Sequence, residues 1–377
     1  MFYNIIHGYL ILLVAFIQGK EHRFHTAMGN INLRSIRWES IKAVFLSIAK
    51  SEKISRADIS ADTDLSLMTV GKVADALMNI EAIEQYKESK NSAGRRAGLL
   101  SIKQDIFSVI LDLRAKDFVC CIMDLRLNAM EKIPYSYVDS MPLCDNLDRF
   151  LDTVSSFVST HMSDGICIGV GAAIPGSYIP TTNRSYCRDL PELDTVDLSE
   201  TIGKYFPQVP LVIDSAYNAA AISQIQQVRD YKDKVIFCWC VAENSIRGAI
   251  ISHGKVLHGA HHSAGDFGSV VVHNGATLNS LVKHTNAPQA NASALARSIH
   301  NAIRLADPDA IILECPMYEN GEDFCELVRN MLMEEYNLSS DMLPELLIAT
   351  GDVPHAYRGI TMQLRENWLH DRIFFQN

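Results

Sequence analysis

The hydrophobic pattern changes period along the chain, and each change marks a different kind of structure. Over 36–49 the apolar positions Ile41, Val44, Phe45 and Ile48 recur at three- and four-residue spacing, which predicts an amphipathic helix. Ser55 stands as an N-cap before Arg56-Ala57-Asp58 and predicts a short helix to about Asp62. Thr63-Asp64-Leu65-Ser66 breaks it. Ser66 then caps a further helix over 67–79, with Val70, Val73, Ala74 and Leu77 on its inner face. Residues 82–87 and 97–102 read as two strands, separated by a polar stretch that ends in Arg95 and Arg96.

Beyond residue 105 the pattern alternates between strand and helix. Strands are predicted over 108–112, 118–124 and 129–135, then a helix over 145–160 and a buried strand over 165–173 ending in Ile174-Pro175-Gly176. A helix over 198–205, a strand over 209–213 and a helix over 219–227 follow. The pattern then restarts, with strands at 235–241, 248–252, 255–257 and 270–272. Helices at 292–306, 322–334 and 356–369 enclose strands at 310–313 and 346–349. A strand meander followed by alternating helix and strand, twice over, predicts a duplicated α/β body with a ligand cleft between its halves. The expected domains are 28–104, 105–220 and 221–377, with the last helix packing back on the first α/β half.

Charge separates the same regions. The net charge of −10 excludes a globally basic nucleic-acid coat, but 28–104 carries 12 basic and 9 acidic residues, net +3. The remainder holds 22 and 35, net −13, as in a small nucleic-acid-binding head on an acidic body. Nine cysteines lie mostly in apolar runs with no CxxC pair, which fits free thiols in a reducing compartment and a cytoplasmic location. Residues 2–19 are strongly apolar, yet their unbroken core, 9–17, is short against the ~20 residues of a bilayer span. No basic residue precedes that core and no small-residue cleavage site follows. Residues 1–27 therefore read as an extension of unassigned role, and no membrane partner is expected.

Two short helices joined by a tight turn, followed by a hairpin with a basic tip, make a winged helix-turn-helix. The expected partner is double-stranded DNA. Ser66, Met68, Thr69 and Lys72 would lie near base edges, and Arg95 and Arg96 near phosphates or the minor groove. A three-helix cap with a solvated hairpin is the plainer alternative. A second candidate site is the glycine-rich loop over 259–269, where Asp266 sits between Gly265 and Gly268 and its carboxylate could accept hydrogen bonds from a polyol. A hairpin with an irregular loop is the plainer reading there. His253, His258, His261, His262 and His273 crowd this loop without fixed ligand spacing or a cysteine partner, so no metal or other cofactor is expected.

Ile54-Ser55-Arg56-Ala57-Asp58-Ile59, Leu65-Ser66, Thr69-Val70 and Gly94-Arg95-Arg96-Ala97, with Ile174-Pro175-Gly176 and the AGxxG loop downstream, resemble the ROK family of repressors, open reading frames and sugar kinases. The resemblance covers roughly 33–369 and is nearest the repressor arm, similar to xylose- and N-acetylglucosamine-responsive regulators. It implies an N-terminal winged helix-turn-helix followed by a duplicated actin-like, ribonuclease-H-like body of the sugar-kinase type. It also implies where a kinase would keep its chemistry, and this chain departs there. The phosphate motif D-x-G-x-T reads Asp112-Leu113-Arg114-Ala115-Lys116, the second phosphate loop aligns with Ala242-Glu243-Asn244, and the adenosine-side glycine pair with Glu314-Cys315. The general base of the phrase Glu-Asn-Asp-Ala-Asn falls on Ala216, which cannot take a proton. The loop phrase G-E-x-G-H reads Gly265-Asp266-Phe267-Gly268-Ser269, and the zinc cysteines are missing.

The expected function is a regulator of carbohydrate metabolism, a repressor, without kinase activity and acting as a homodimer or tetramer. Its effector would be a sugar or sugar phosphate held by Asp266, Ser215, Asn218, His262, Ser269 and Asn279. Two rivals stand beside this reading. One is a regulator or scaffold that no longer senses a sugar; the other is an ATP-dependent sugar kinase.

Overall fold

The computed structural model describes residues 28–87, 98–242, 245–282 and 287–375. The apolar start (1–27), the hairpin tip with Arg95 and Arg96, and Glu243 and Asn244 lie outside the described residues. The chain divides into two compact units, one of 1–103 with 369–377 and one of 104–368. No described helix is long and apolar enough to cross a membrane.

In the first unit α1 (Met28–Lys50), α2 (Arg56–Thr63) and α3 (Leu67–Asn79) bury Ile41, Phe45, Ile59, Val70 and Leu77. α1 begins well before its apolar stripe, which is why the pattern shows only its second half. Strands β1 (Ile54–Ser55), β2 (Ile83–Lys87) and β3 (Gly98–Ile102) form an antiparallel sheet in the order β1-β3-β2. β1 escapes a sequence reading because two residues show no alternation; Ser55 serves both as strand end and as the N-cap of α2.

The second unit repeats one topology. Its first half is the meander β4 (Ile106–Asp112), β5 (Val119–Asp124), β6 (Ala129–Pro134), then α4 (Leu143–His161) and β7 (Ile166–Ile174). The small hairpin β8 (Ser177–Ile179) and β9 (Arg184–Tyr186), α5 (Leu198–Tyr205), β10 (Leu211–Ser215) and α6 (Ala216–Gln224) complete it. The second half is the meander β11 (Val235–Ala242), β12 (Ser245–Ser252), β13 (Lys255–Val256), then the hairpin β14 (Val271–His273) and β15 (Ala276–Thr277). α7 (Leu278–Leu281), α8 (Pro288–Ala306), β16 (Ala310–Glu314), α9 (Gly321–Glu334), β17 (Glu345–Ile348) and α10 (His355–Phe374) follow. The sheet orders are β6-β5-β4-β7-β10 and β13-β12-β11-β16-β17. Each is an antiparallel meander whose first strand pairs in parallel with a later strand, which pairs in parallel with the next. This is the duplicated body that the alternation predicts.

Two differences from the sequence reading matter for the site. The strand expected over 209–213 lies two residues later, because Pro210 brings no N–H to a ladder and Val209 N closes a turn on Phe206 O (3.4 Å). The following helix therefore starts at Ala216, not Ala219, and places Ala216, Tyr217 and Asn218 in its first turn.

Packing exchanges helices between the halves. On the outer faces, Leu147, Phe150 and Val154 of α4 cover Val109, Leu111 and Ile122, while Leu295, Ile299, Phe324 and Val328 of α8 and α9 cover Phe237, Trp239, Ile311 and Leu313. On the inner faces, Ala221 of α6 packs on Ile236, Cys238, Ala249 and Ile312 of the second sheet. α10 returns to the first sheet: Ile360 and Leu364 fill the space a side chain would need at Gly171 and Gly169, and Arg365 Nη1 donates to Leu125 O (2.8 Å). The two inner helices touch at Gly359, where an added Cβ would fall on the Ala219 carbonyl. Backbone cannot swing aside as a side chain can, so Gly359→Ala should cost about 2–3 kcal/mol in urea denaturation. Gly203→Ala, where nothing lies within 4 Å of the new methyl, should be neutral or stabilising. Equal stability of the two variants would contradict this packing.

Candidate functional site

Two places concentrate unusual chemistry, one in each unit. In the first unit the chain makes helix, turn, helix by side-chain capping. Ser55 Oγ accepts from Asp58 N (3.2 Å) at the start of α2, and Asp64 closes that helix in the left-handed conformation, φ 56°. Ser66 Oγ accepts from Thr69 N (3.2 Å) at the start of α3, and the two hydroxyls share a hydrogen bond of 2.9 Å. Val70, Val73, Ala74 and Leu77 are buried, as their spacing predicts. Ser66, Met68 and Lys72 are exposed and Thr69 is half-buried, so the structure brings these four expected residues together on the first two turns of α3.

In the second unit a pocket of about 620 Å³ opens where the parallel strands β7 and β10 end. Crevices outside the carboxyl ends of parallel strands are the usual ligand sites of open α/β sheets. Its lining comes from the Pro175–Ser177 turn, the segment after β9, the first turn of α6, β12, and the loop 261–266. Gly265 holds φ 90°, and a side chain there would strike the Gly248 carbonyl. The loop is therefore pressed onto β12 and could not be so with any other residue.

Arg247 on β12 is the centre of the site's polar network. Its Nη1 donates to Asp266 Oδ1 (3.0 Å), its Nη2 to Asp189 Oδ2 (3.1 Å), and its Nε to Ser245 Oγ (3.2 Å). Asp266 Oδ2 accepts from Ser269 Oγ (2.7 Å), which in turn accepts from Arg188 Nη1 (2.8 Å). Ser177 Oγ donates to His262 O (2.5 Å). These bonds tie the 177–189 segment of the first half to the loop of the second.

Of the six residues expected to hold an effector, Asp266, Ser215, Asn218 and His262 line the pocket. Ser269 stands behind Asp266 as its hydrogen-bond donor, outside the lining. Asn279 is also outside the lining: its Oδ1 accepts from Ile246 N (2.6 Å), and it packs against Gly268. Asp214 beside the pocket is half-buried, and desolvation pushes its carboxyl up, against hydrogen bonds from Gln363 and Asn218. Sequence reasoning missed Arg247, Asp189 and Tyr217. The one signal for Arg247 was a lone cation inside the apolar strand run from Ile246 to Ile251.

The corner where the family resemblance would place a nucleotide is filled with the protein's own ion pair. Arg114 grips Asp112 through Nε (2.9 Å) and Nη2 (2.7 Å), and Tyr357 Oη donates to Asp112 Oδ2 (2.6 Å). Burial acts to raise the Asp112 carboxyl, but Arg114 and Tyr357 outweigh it and hold it below its ordinary range. Glu314 is half-buried and its Oε2 accepts from Gln224 Nε2 (2.7 Å), while desolvation pushes its carboxyl up. Burial likewise pushes the Tyr217 phenol up to about 12. Ala216, at the position of the family's base, is a buried methyl. Among the described residues no group of three or more His, Cys, Asp or Glu is placed to hold a metal ion.

A scan against models of known protein families found no match. Among curated proteins the chain is similar to the xylose repressor of Caldicellulosiruptor bescii, 22% identical over 236 residues, 61% of this chain and 57% of that protein. It is also similar to the xylose repressor of Bacillus subtilis, 24% identical over 239 residues, 61% of this chain and 60% of that one. The alignments thus span less than two thirds of the length of these relatives. Among solved structures a ROK family transcriptional regulator, a homolog of E. coli MLC protein, superposes with a TM-score of 0.66 at 14% identity, over 90% of this chain and 99% of that one. The chain has the fold of the ROK family. Its resemblance to the repressor arm, read from the helix-turn-helix phrases, agrees with curated relatives that are themselves repressors.

Removing the charge of Arg247 leaves three acceptors without their donor. Arg247→Met should lower stability by about 1–3 kcal/mol. Asp189→Asn, at the more exposed end of the network, should cost about 1 kcal/mol or less. Chemical denaturation that ranks them the other way would move the centre of the network elsewhere.

Proposed function

We propose that this chain is a DNA-binding transcriptional regulator of the ROK type, a repressor of carbohydrate genes that works in the cytoplasm as a homodimer or tetramer. The observation that carries the reading is a capped helix-turn-helix with an exposed second helix, joined in one chain to a ROK-fold body and similar to xylose repressors. DNA would meet the first turns of α3 through Ser66, Met68, Thr69 and Lys72, with Arg95 and Arg96 of the hairpin on the backbone or minor groove.

The body would sense and not phosphorylate. A sugar kinase needs a base to take the hydroxyl proton and a cradle for the transferred phosphate. Ala216 offers no base, and the Arg114–Asp112 pair fills the expected cradle. Purified protein should therefore shift operator-containing duplex in a gel and show no ATP turnover with common hexoses. Robust turnover, or the absence of any sequence-preferring shift across several salt concentrations, would refute the respective half of the proposal.

The pocket suits a neutral polyhydroxylated effector. Arg247 and Asp266 already neutralise each other, and a sugar's hydroxyls can both accept from one and donate to the other. One observation favours the rival, a body that no longer senses a sugar: both Asp266 oxygens have donors within the protein. A thermal-shift screen against mono- and amino-sugars and their 6-phosphates separates the two. Sensing predicts a stabilising hit that also weakens or strengthens DNA binding, with both effects lost in Asp266→Ala. A blank screen, or an effect that survives Asp266→Ala, would leave the loop structural.

A further inference from the structure

The solvent face of α3 is unusual for a helix meant to read DNA through hydrogen bonds. Leu67 and Met68 are 59% and 72% exposed, among the most exposed large apolar side chains described. The polar residues beside them are partly spent: Ser66 and Thr69 bond each other and form the N-cap. From Ser66 to Lys72 the only charged side chain is Lys72. Arg56, the nearest arginine on α2, is taken up by Asp75 (3.1 Å) and Gln85 (3.3 Å).

Gly71 adds a second, independent observation. It lies inside α3, where glycine weakens a helix relative to alanine. Packing gives no reason for it, since a Cβ there would meet nothing within 4 Å. Helical spacing puts Leu67, Met68, Gly71 and Lys72 on one face. The face is apolar at its start, bare of side chain one turn on, and basic beside the bare position.

Resting on the regulator reading above, we propose that this face reads thymine methyl groups in the major groove. Thymine carries a C5-methyl on its major-groove edge, the one apolar feature the bases offer there. Leu67 and Met68 would pack on such methyls, Gly71 would let the helix backbone approach the groove closely, and Lys72 would neutralise a phosphate. The specificity of this regulator thus lies in A·T pairs under the start of α3, recognised by shape and apolar contact more than by hydrogen bonds.

The test uses the full-length protein and the duplex it enriches from a randomised 40-bp pool. Replacing thymine by deoxyuridine removes only the methyl group. At one or two positions this should weaken wild-type binding about threefold to fivefold per methyl. Met68→Ala should show a similar loss on the normal duplex and little further loss on the substituted one, the signature of a shared contact. Gly71→Leu should melt no lower than wild type yet bind the duplex at least tenfold more weakly. Uracil substitution without effect, Gly71→Leu binding as wild type, or Met68→Ala dissociating an oligomer while leaving DNA affinity intact would each overturn the inference. Failure to enrich any duplex would instead remove the regulator reading, and this inference with it.

Discussion

The contact of Gly359 with the Ala219 carbonyl fixes how close α6 and α10 can come, and these two helices tie the halves of the second unit together. Each of these helices ends one half of the duplicated body and covers the inner face of the other half's sheet. Neither half therefore has a complete core alone. The same crossing sets the end of β10, with Ser215 and Asn218, against β12, with Arg247, so that the pocket is built from both halves. A residue without a side chain in the second turn of α10 is a local cost accepted for a global arrangement.

The chemistry of this body is inward-looking. The polar groups around the two halves are paired within the protein: Asp112 with Arg114 and Tyr357, Glu314 with Gln224, Asp266 with Arg247 and Ser269. A partly buried pair of this kind is worth little as net stability, and removing one partner leaves the other unsatisfied. It fixes side-chain positions, and it raises what any ligand must offer in exchange. The bonds Ser177 to His262 and Arg247 to Asp189 join the two halves at the pocket.

Much of this was legible in the sequence, for identifiable reasons. The caps Ser55 and Ser66 were visible because capping is local, and the helix over Leu67–Asn79 was bounded correctly from its cap and its apolar face. The double meander was visible because strand alternation and helix spacing restart at Val235. What escaped is what depends on contacts distant in sequence. Arg247 finds Asp189 across 58 residues and Tyr357 finds Asp112 across 245. Asn279 is among the residues expected to hold an effector, yet its Oδ1 accepts from the backbone N–H of Ile246. The glycines of the loop over 259–269 signalled close approach, but not that the object approached is β12 itself.

Selective DNA recognition by the whole chain is the property on which the proposed function rests. Fluorescence anisotropy with full-length protein, a duplex obtained by selection and a scrambled duplex of equal length measures it directly, at two or more salt concentrations. A regulator of this kind should bind the selected duplex at least about a thousandfold more tightly than the scrambled one, with both weakening as salt rises. Equal affinity for the two duplexes, or no binding to either at low salt, would contradict it.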